Sequence, residues 1–143
     1  MSSLKLLALD TEDLAVISAH MQDSVFKVGD LSYLPRSGQF SMVANRFAWE
    51  AEAQGDGTHQ RHRAALSFKR VNAVRSLGFD RNDKDQVLSL LAIRFKQKDE
   101  GPDGSIELAL SGAATIVLDV ECIEVQLADT GAVWETNWKP RHP

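Results

Sequence analysis

The longest apolar run of the chain, residues 86–97, places the strongest constraint on how the chain can fold. Apolar residues alternate along it with a period of two, and several are β-branched or aromatic, which predicts a β-strand. On this pattern Val87, Leu91, Ile93 and Phe95 share one face of the strand. We therefore expect a central strand that carries Leu91 in the hydrophobic core, against which the other elements pack.

One helix is predicted near the N-terminus, over residues 11–22. Asp10 can cap its first turn, and Leu14, Ile17 and Met21 follow at helical spacing. The other apolar segments alternate like strands and are separated by turns. Seven or eight antiparallel strands with one early helix predict an α+β, mainly antiparallel β domain, in the form of a curled sheet or a partly closed barrel.

Residues 117–130 leave two structures open. Strand-like alternation runs as far as Cys122 and changes parity at Ile123, which favours a strand with a bulge. However, Val120, Ile123 and Leu127 also fit helical spacing, so a C-terminal helix is the alternative. With that helix, the fold would be a barrel of the pleckstrin-homology type.

Residues 39–50 alternate as well, but the parity of their large apolar side chains changes midway. The alternation that begins at Phe40 and reaches Ala44 is continued by Phe47 on the opposite parity. We therefore expect a β-bulge near Asn45.

The length of 143 residues fits a single domain with an ordinary core, whose residues 134–143 are predicted to be a C-terminal tail. No segment approaches the roughly 18 consecutive apolar residues that a membrane span needs. The N-terminus reaches Asp10 before a signal-peptide core could form, and the single cysteine, Cys122, cannot form a disulfide within the chain. These features predict a cytoplasmic protein without membrane contact.

Three stretches of the chain resemble one known family. They are DSVFKVGDLSYLP at residues 23–35, NRFAWE at residues 45–50 and VECIE at residues 120–124. The resemblance is to an uncharacterised bacterial family, domain of unknown function 2948, and it extends over nearly the whole chain. It implies a small, free-standing cytoplasmic bacterial protein, and it assigns no catalytic or ligand residues.

Charge is distributed unevenly, although the net charge is only −4. Residues 56–98 hold ten lysines and arginines against four acids, whereas residues 99–138 hold nine acids and no lysine or arginine. The anion-binding candidates in the basic sector are Arg61, His62, Arg63, Lys69, Arg70 and Arg75. Such a row could bind phosphates of a nucleic acid. We favour the interpretation that it faces the acidic third of the chain, because a globally acidic protein repels polyanions.

Two further sets of residues are candidates for function. Asn45, Arg46 and Trp49, together with His62, are candidates for the mouth of a pocket in a sheet or barrel. Trp134 and Trp138 are interface candidates, because large amphipathic side chains near a chain end often mark an interface. No complete set of metal ligands, phosphate loop or dinucleotide motif is present, so we predict no metal and no cofactor.

From these observations we predict a non-enzymatic binding or protein-interaction domain with no assigned catalytic residue. One alternative is a small enzyme or ligand-binding barrel with its pocket near Asn45, Arg46, Trp49 and His62. Another is an anion or nucleic-acid binder that uses the basic strand of residues 61–75. The sequence identifies no partner: a protein partner or a second copy of the chain are both candidates, and nucleic acid is a disfavoured one.

Overall fold

The computed structural model of the protein describes the backbone of residues 4–52 and 59–136 and the side chains of residues 4–50 and 59–132. Within these residues the chain forms two helices and ten strands. The helices are α1 (Thr11–Met21) and α2 (Trp49–Glu52). The strands are β1 (Lys5–Ala8), β2 (Ser24–Lys27), β3 (Leu31–Leu34), β4 (Gln39–Phe47), β5 (His59–Phe68), β6 (Val71–Leu77), β7 (Val87–Gln97), β8 (Gly104–Leu110), β9 (Thr115–Val120) and β10 (Val125–Thr136).

All ten strands belong to one antiparallel sheet. Its order is β1-β10-β5-β4-β2-β7-β8-β9-β6, and β3 pairs with the first half of β4. The sheet curls without closing. In its described part β1 and β6 are the end strands of the order, and β3, which pairs only with β4, has a free edge as well. The prediction of an α+β, mainly antiparallel domain with a curled sheet and one N-terminal helix is confirmed.

The helix α1 covers one end of the sheet. It begins after Asp10, whose carboxylate accepts a hydrogen bond from the Asp13 N–H at 2.8 Å, as expected for an N-cap. Its buried side chains are Leu14, Ile17 and Met21. The Ser18 hydroxyl accepts a hydrogen bond from the Ile93 N–H at 2.9 Å. This bond gives the Ile93 amide of β7 a partner at a position that β2 no longer reaches. Neither described helix is long and apolar enough to cross a membrane.

The central strand β7 contains a β-bulge at Leu91. Leu90 and Ala92 pair with consecutive residues of β8, so Leu91 is an extra residue without a partner there. The bulge changes the buried parity: Leu88 and Leu90 are buried before it, and Ile93 is buried after it. Leu91 itself is 41% exposed, so the prediction that it lies in the core is wrong. The prediction from strict alternation failed because one inserted residue turns every later side chain of the strand to the opposite face of the sheet.

The C-terminal region is entirely extended in the residues that the structure describes. Residues 117–130 lie in β9 and β10, which are separated by the bend at residues 121–124. The alternative of a C-terminal helix, and with it a pleckstrin-homology-like barrel, is therefore wrong. The strand β10 continues through Thr136, because it pairs with β5 as far as His59, so the predicted tail does not begin at residue 134. Residues 137–143 lie outside the described residues.

Candidate functional site

A charged side chain, Arg46 of β4, lies fully inside the protein. β4 keeps an uninterrupted register with β5 along residues 40–47, so the bulge predicted near Asn45 is wrong. Regular alternation carries Arg46 onto the same buried face as Met42 and Ala44. An arginine at such a position must be neutralised by partners, because an unpaired buried charge is strongly destabilising.

Two carboxylates and two histidines surround Arg46, and we refer to the five residues as the Arg46 cluster. Arg46 donates to both oxygens of Asp129, with Nε–Oδ1 and Nη2–Oδ2 distances of 2.8 Å. It also donates to Glu50, with Nη1–Oε1 at 2.9 Å and Nη2–Oε2 at 2.6 Å. The His62 Nδ1 is 3.3 Å from Asp129 Oδ2, and the His20 Nδ1 is 3.5 Å from Glu50 Oε1.

The charges of the Arg46 cluster stabilise one another. Burial disfavours the charged form of Asp129, but hydrogen bonds from Arg46 and from the Leu4 N–H outweigh it, so the pKa of Asp129 lies below its usual value. The pKa of Glu50 is lowered by the same balance, burial being outweighed by hydrogen bonds from Arg46. Burial would lower the pKa of Arg46, yet the two carboxylates raise it. All three groups are therefore ionised at neutral pH.

This geometry holds elements together rather than leaving a reactive group free. Four hydrogen bonds engage the Arg46 guanidinium, and they join β4 to α2 and to β10. The Leu4 N–H also donates to Asp129 at 3.0 Å, and this bond joins the segment before β1 to the same cluster. Because charge-assisted bidentate pairs are strong and directional, the Arg46 cluster fixes the relative positions of these segments.

The residues predicted for a pocket mouth do lie near one another. Arg46 and His62 meet at Asp129, but both are buried, so neither faces solvent. The Asn45 carbonyl accepts a hydrogen bond from Arg61 Nη1 at 3.1 Å. Trp49 donates from Nε1 to the Gln22 carbonyl at 3.0 Å, which links α2 to the end of α1. These side chains pack this end of the fold.

The six anion-binding candidates are dispersed rather than gathered on one surface. Arg61 and His62 are buried. Arg61 donates to the Asp23 and Asn45 carbonyls, and its guanidinium lies 5.7 Å from the centre of the Phe47 ring. Burial lowers the pKa of Arg61, while the charge of Asp23 opposes this effect. Both side chains are thus committed to the interior.

The remaining candidates lie on or after two strands that are not neighbours in the sheet. Arg63 on β5 and Lys69 just after it are half-buried. Arg70 Nε is 3.6 Å from Glu124 Oε1, and Arg75 Nη2 is 3.2 Å from Asp119 Oδ1. Arg70 and Arg75 therefore face acids of the acidic third, as His62 does inside the protein at Asp129. The Arg70 and Arg75 side chains are 60% and 64% exposed, so these two ion pairs are surface pairs of small energetic weight.

The interface candidates are only partly described. The backbone of Trp134 lies in β10 opposite Arg61, and its side chain falls outside the described residues. Trp138 lies outside them altogether. Among the residues that the structure does describe, no group of three or more His, Cys, Asp or Glu side chains could hold a metal ion.

A second candidate site, which we call the wall pocket, lies where the free edge of β3 faces the free edge of β6. It is a cavity of about 170 Å³. Its apolar lining consists of Val28, Leu31, Phe40, Val74, Phe79 and Ile116. Its polar lining consists of Ser32, Tyr33, Ser76, Arg81 and Lys84. Of the apolar set, Val28, Phe40 and Ile116 are buried, so the wall pocket has an apolar floor.

Backbone hydrogen bonds frame the wall pocket at both ends. At one end the Val71 N–H donates to the Gly38 carbonyl at 2.9 Å, and the Tyr33 hydroxyl donates to the Val71 carbonyl at 3.3 Å. At the other end the Gly29 N–H donates to the Lys84 carbonyl at 2.9 Å. The gap between β3 and β6 is therefore closed above and below, and it forms a pocket rather than a groove that could admit a further strand.

Sequence reasoning missed the wall pocket because its lining comes from segments that are far apart in the chain. The available signal was Phe79, an aromatic residue in an otherwise polar, turn-rich connection.

A larger depression of about 770 Å³ lies beside the turn between β7 and β8. Most of its lining residues are polar or charged, and the charges are of both signs, with Lys96 and Lys98 near Asp103, Asp119 and Glu121.

Together, the fold and these sites define an α+β domain with one curled antiparallel sheet, a buried ion cluster and a small pocket in the sheet wall. The chain belongs to the family described as Protein of unknown function (DUF2948), whose model matches residues 4–142. This match confirms the resemblance noted in the sequence. No curated protein matches the chain, and no solved structure matches it.

Proposed function

We propose that this protein is a non-enzymatic binding domain and that the wall pocket is its ligand site. The observation that carries the proposal is the frame of backbone hydrogen bonds around an apolar-floored cavity. A cavity held open in this way is formed before a ligand arrives, so binding need not pay for ordering the site. Apolar pockets with a few convergent polar groups are the usual form of small-molecule sites.

The chemistry of the lining supports binding rather than catalysis. No carboxylate, imidazole or thiol lines the wall pocket among the described residues, and the Lys84 side chain, which could also act as a base, is exposed to solvent. The Tyr33 hydroxyl is engaged by the Val71 carbonyl. In the Arg46 cluster, the guanidinium and both carboxylates are already engaged with one another through four hydrogen bonds.

We place this function in the bacterial cytoplasm as part of the same proposal. The single cysteine supports a reducing compartment, since secreted domains commonly rely on paired cysteines. The family resemblance supports a bacterial origin.

The test is a titration of the full-length, nitrogen-15-labelled protein with 1-hexanol, a neutral apolar probe, followed by amide resonances. We expect saturable shifts at residues of the wall pocket such as Ser32, Val74 and Phe79. Ser76→Phe, which fills the wall pocket, should abolish these shifts. Ser67→Phe is the matched control, because Ser67 is also a half-buried strand serine but does not line the cavity. Shifts that persist in Ser76→Phe, or none in the wild type, would refute the proposal.

A further inference from the structure

We propose that the ligand of the wall pocket is a small apolar molecule that ends in one anionic group, such as a carboxylate, which Arg81 and Lys84 hold at the rim. This inference rests on the proposed function, because it specifies the ligand class of the same site. Three observations carry it: the fixed position of the rim, the sign of the charges that line the cavity, and the size of the cavity.

The Lys84 side of the rim is held against the turn that precedes β3. The Lys84 carbonyl accepts the Gly29 N–H, and the Val28 N–H donates to the Gln86 carbonyl at 3.0 Å. The approach is close, since a Cβ built on Gly29 would lie 3.1 Å from the Lys84 oxygen. A larger residue at position 29 would have to displace Lys84 by a few tenths of an ångström, so glycine suits this close approach.

The Phe79 side of the rim is anchored as well. Gly78 has a φ of 85°, and a Cβ built on it would lie 2.9 Å from the Ala114 Cα, so the segment begins in close contact with the turn before β9. Phe79 then packs against the hydrophobic core. Between the anchors, the Asp83 N–H donates to the Asp80 carbonyl at 3.1 Å, which makes a turn around Arg81. The backbone that bears both cations is thus preorganised.

The charges that line the cavity are all positive. The same loop carries Asp80, Asp83 and Asp85, but none of these lines the wall pocket. The Asp80 carboxylate is engaged by the Asn82 N–H at 2.9 Å. Within the described residues, Arg81 and Lys84 form no ion pair of their own. Two cations beside an apolar floor are complementary to an apolar molecule with an anionic end.

The volume limits the apolar part of the ligand. A dry apolar cavity of roughly 150 Å³ is large enough for benzene. At about 170 Å³, the wall pocket accommodates a ring or short chain of similar size. The anionic group then lies outside the apolar floor, at the level of Arg81 and Lys84. Longer acyl chains and whole nucleotides exceed this space, so the ligand class is a small anion with a compact apolar body.

The experiment compares hexanoate, 1-hexanol and hexylamine on the full-length protein by calorimetry, with amide shifts to locate binding. We expect hexanoate to bind at least roughly tenfold more tightly than 1-hexanol, the smaller end of what a charge-assisted hydrogen bond confers, and hexylamine to bind most weakly. The variant Arg81→Gln with Lys84→Gln should lose the preference for hexanoate and keep the binding of 1-hexanol.

Arg94→Gln with Lys96→Gln is the matched control, because it removes the same two charges from the exposed face of β7. It should retain the preference for hexanoate. Equal affinity of hexanoate and 1-hexanol in the wild type would overturn this inference while leaving the proposed function standing. Loss of the preference in both double variants would overturn the assignment to Arg81 and Lys84. If no probe binds, the proposed function fails as well.

Discussion

Replacing Arg46 by methionine tests whether the Arg46 cluster stabilises the fold. The substitution keeps a long side chain in the buried site but removes all four hydrogen bonds to Asp129 and Glu50. The Asp129 side chain is only 1% exposed, so its carboxylate would remain buried with the Leu4 N–H and His62 as its other partners.

The expected cost follows from that burial. Removing one partner of a buried ion pair destabilises a protein by about 3–5 kcal/mol, because the other charge is left uncompensated. Glu50 contributes less, since its side chain is 38% exposed and water can replace Arg46 there. We therefore expect Arg46→Met to lower the free energy of unfolding by about 3 kcal/mol or more, a large part of the roughly 5–15 kcal/mol typical of a domain.

The assay is urea unfolding at neutral pH, with Arg94→Met as the matched control. Arg94 pairs with Glu107 at 3.7 Å, and their side chains are 69% and 47% exposed, so its loss should cost no more than about 1 kcal/mol. The double variant Arg46→Met with Asp129→Leu should regain most of the lost stability, because it leaves no buried charge from this pair. If Arg46→Met and Arg94→Met lowered the free energy of unfolding by the same small amount, the reasoning would be refuted.

The dependence on pH provides a second check on the same variant. The folded-state pKa values of Asp129 and Glu50 lie below their unfolded values, so their contribution is present above about pH 4 and is lost as the pH falls through the folded values. In Arg46→Met, only the Leu4 N–H and His62 still oppose the effect of burial on Asp129, so the protonated form of Asp129 is more favoured than in the wild type. The stability difference between wild type and variant should therefore narrow from about pH 7 to about pH 4. A constant difference would contradict this account.

The other predictions concern the bulge, the loop anchor and the basic residues. Leu90→Asp should prevent folding, whereas Leu91→Asp at the exposed bulge should yield a folded protein by near-ultraviolet circular dichroism. Gly78→Ala should lower the melting temperature more than Gly112→Ala, because both glycines have positive φ but only Gly78 would clash with neighbouring backbone; equal shifts would argue against the clash. Generic RNA should not bind at about 0.15 M salt, and affinity that falls steeply with salt would instead indicate phosphate contacts.

Much of the fold could be predicted from the sequence because its determinants are local. The spacing of Leu14, Ile17 and Met21 and the cap at Asp10 specify α1 without reference to any other segment. Alternation with a period of two likewise indicated most strands, and with them an α+β domain dominated by antiparallel strands. These features depend on residues a few positions apart, so they are readable in a single chain.

The features that only the tertiary structure determines depend on which strands become neighbours in the sheet. The bulge at Leu91 is defined by pairing with β8, and the strand ending at Val120 is followed by a second strand because β9 and β10 pair with different neighbours. Arg46 is tolerated inside because it pairs with the nearby Glu50 and with Asp129, which lies far from it in the chain. The wall pocket exists because β3 and β6 face each other without pairing. Such contacts are set by the curl of the whole sheet, which no local pattern encodes.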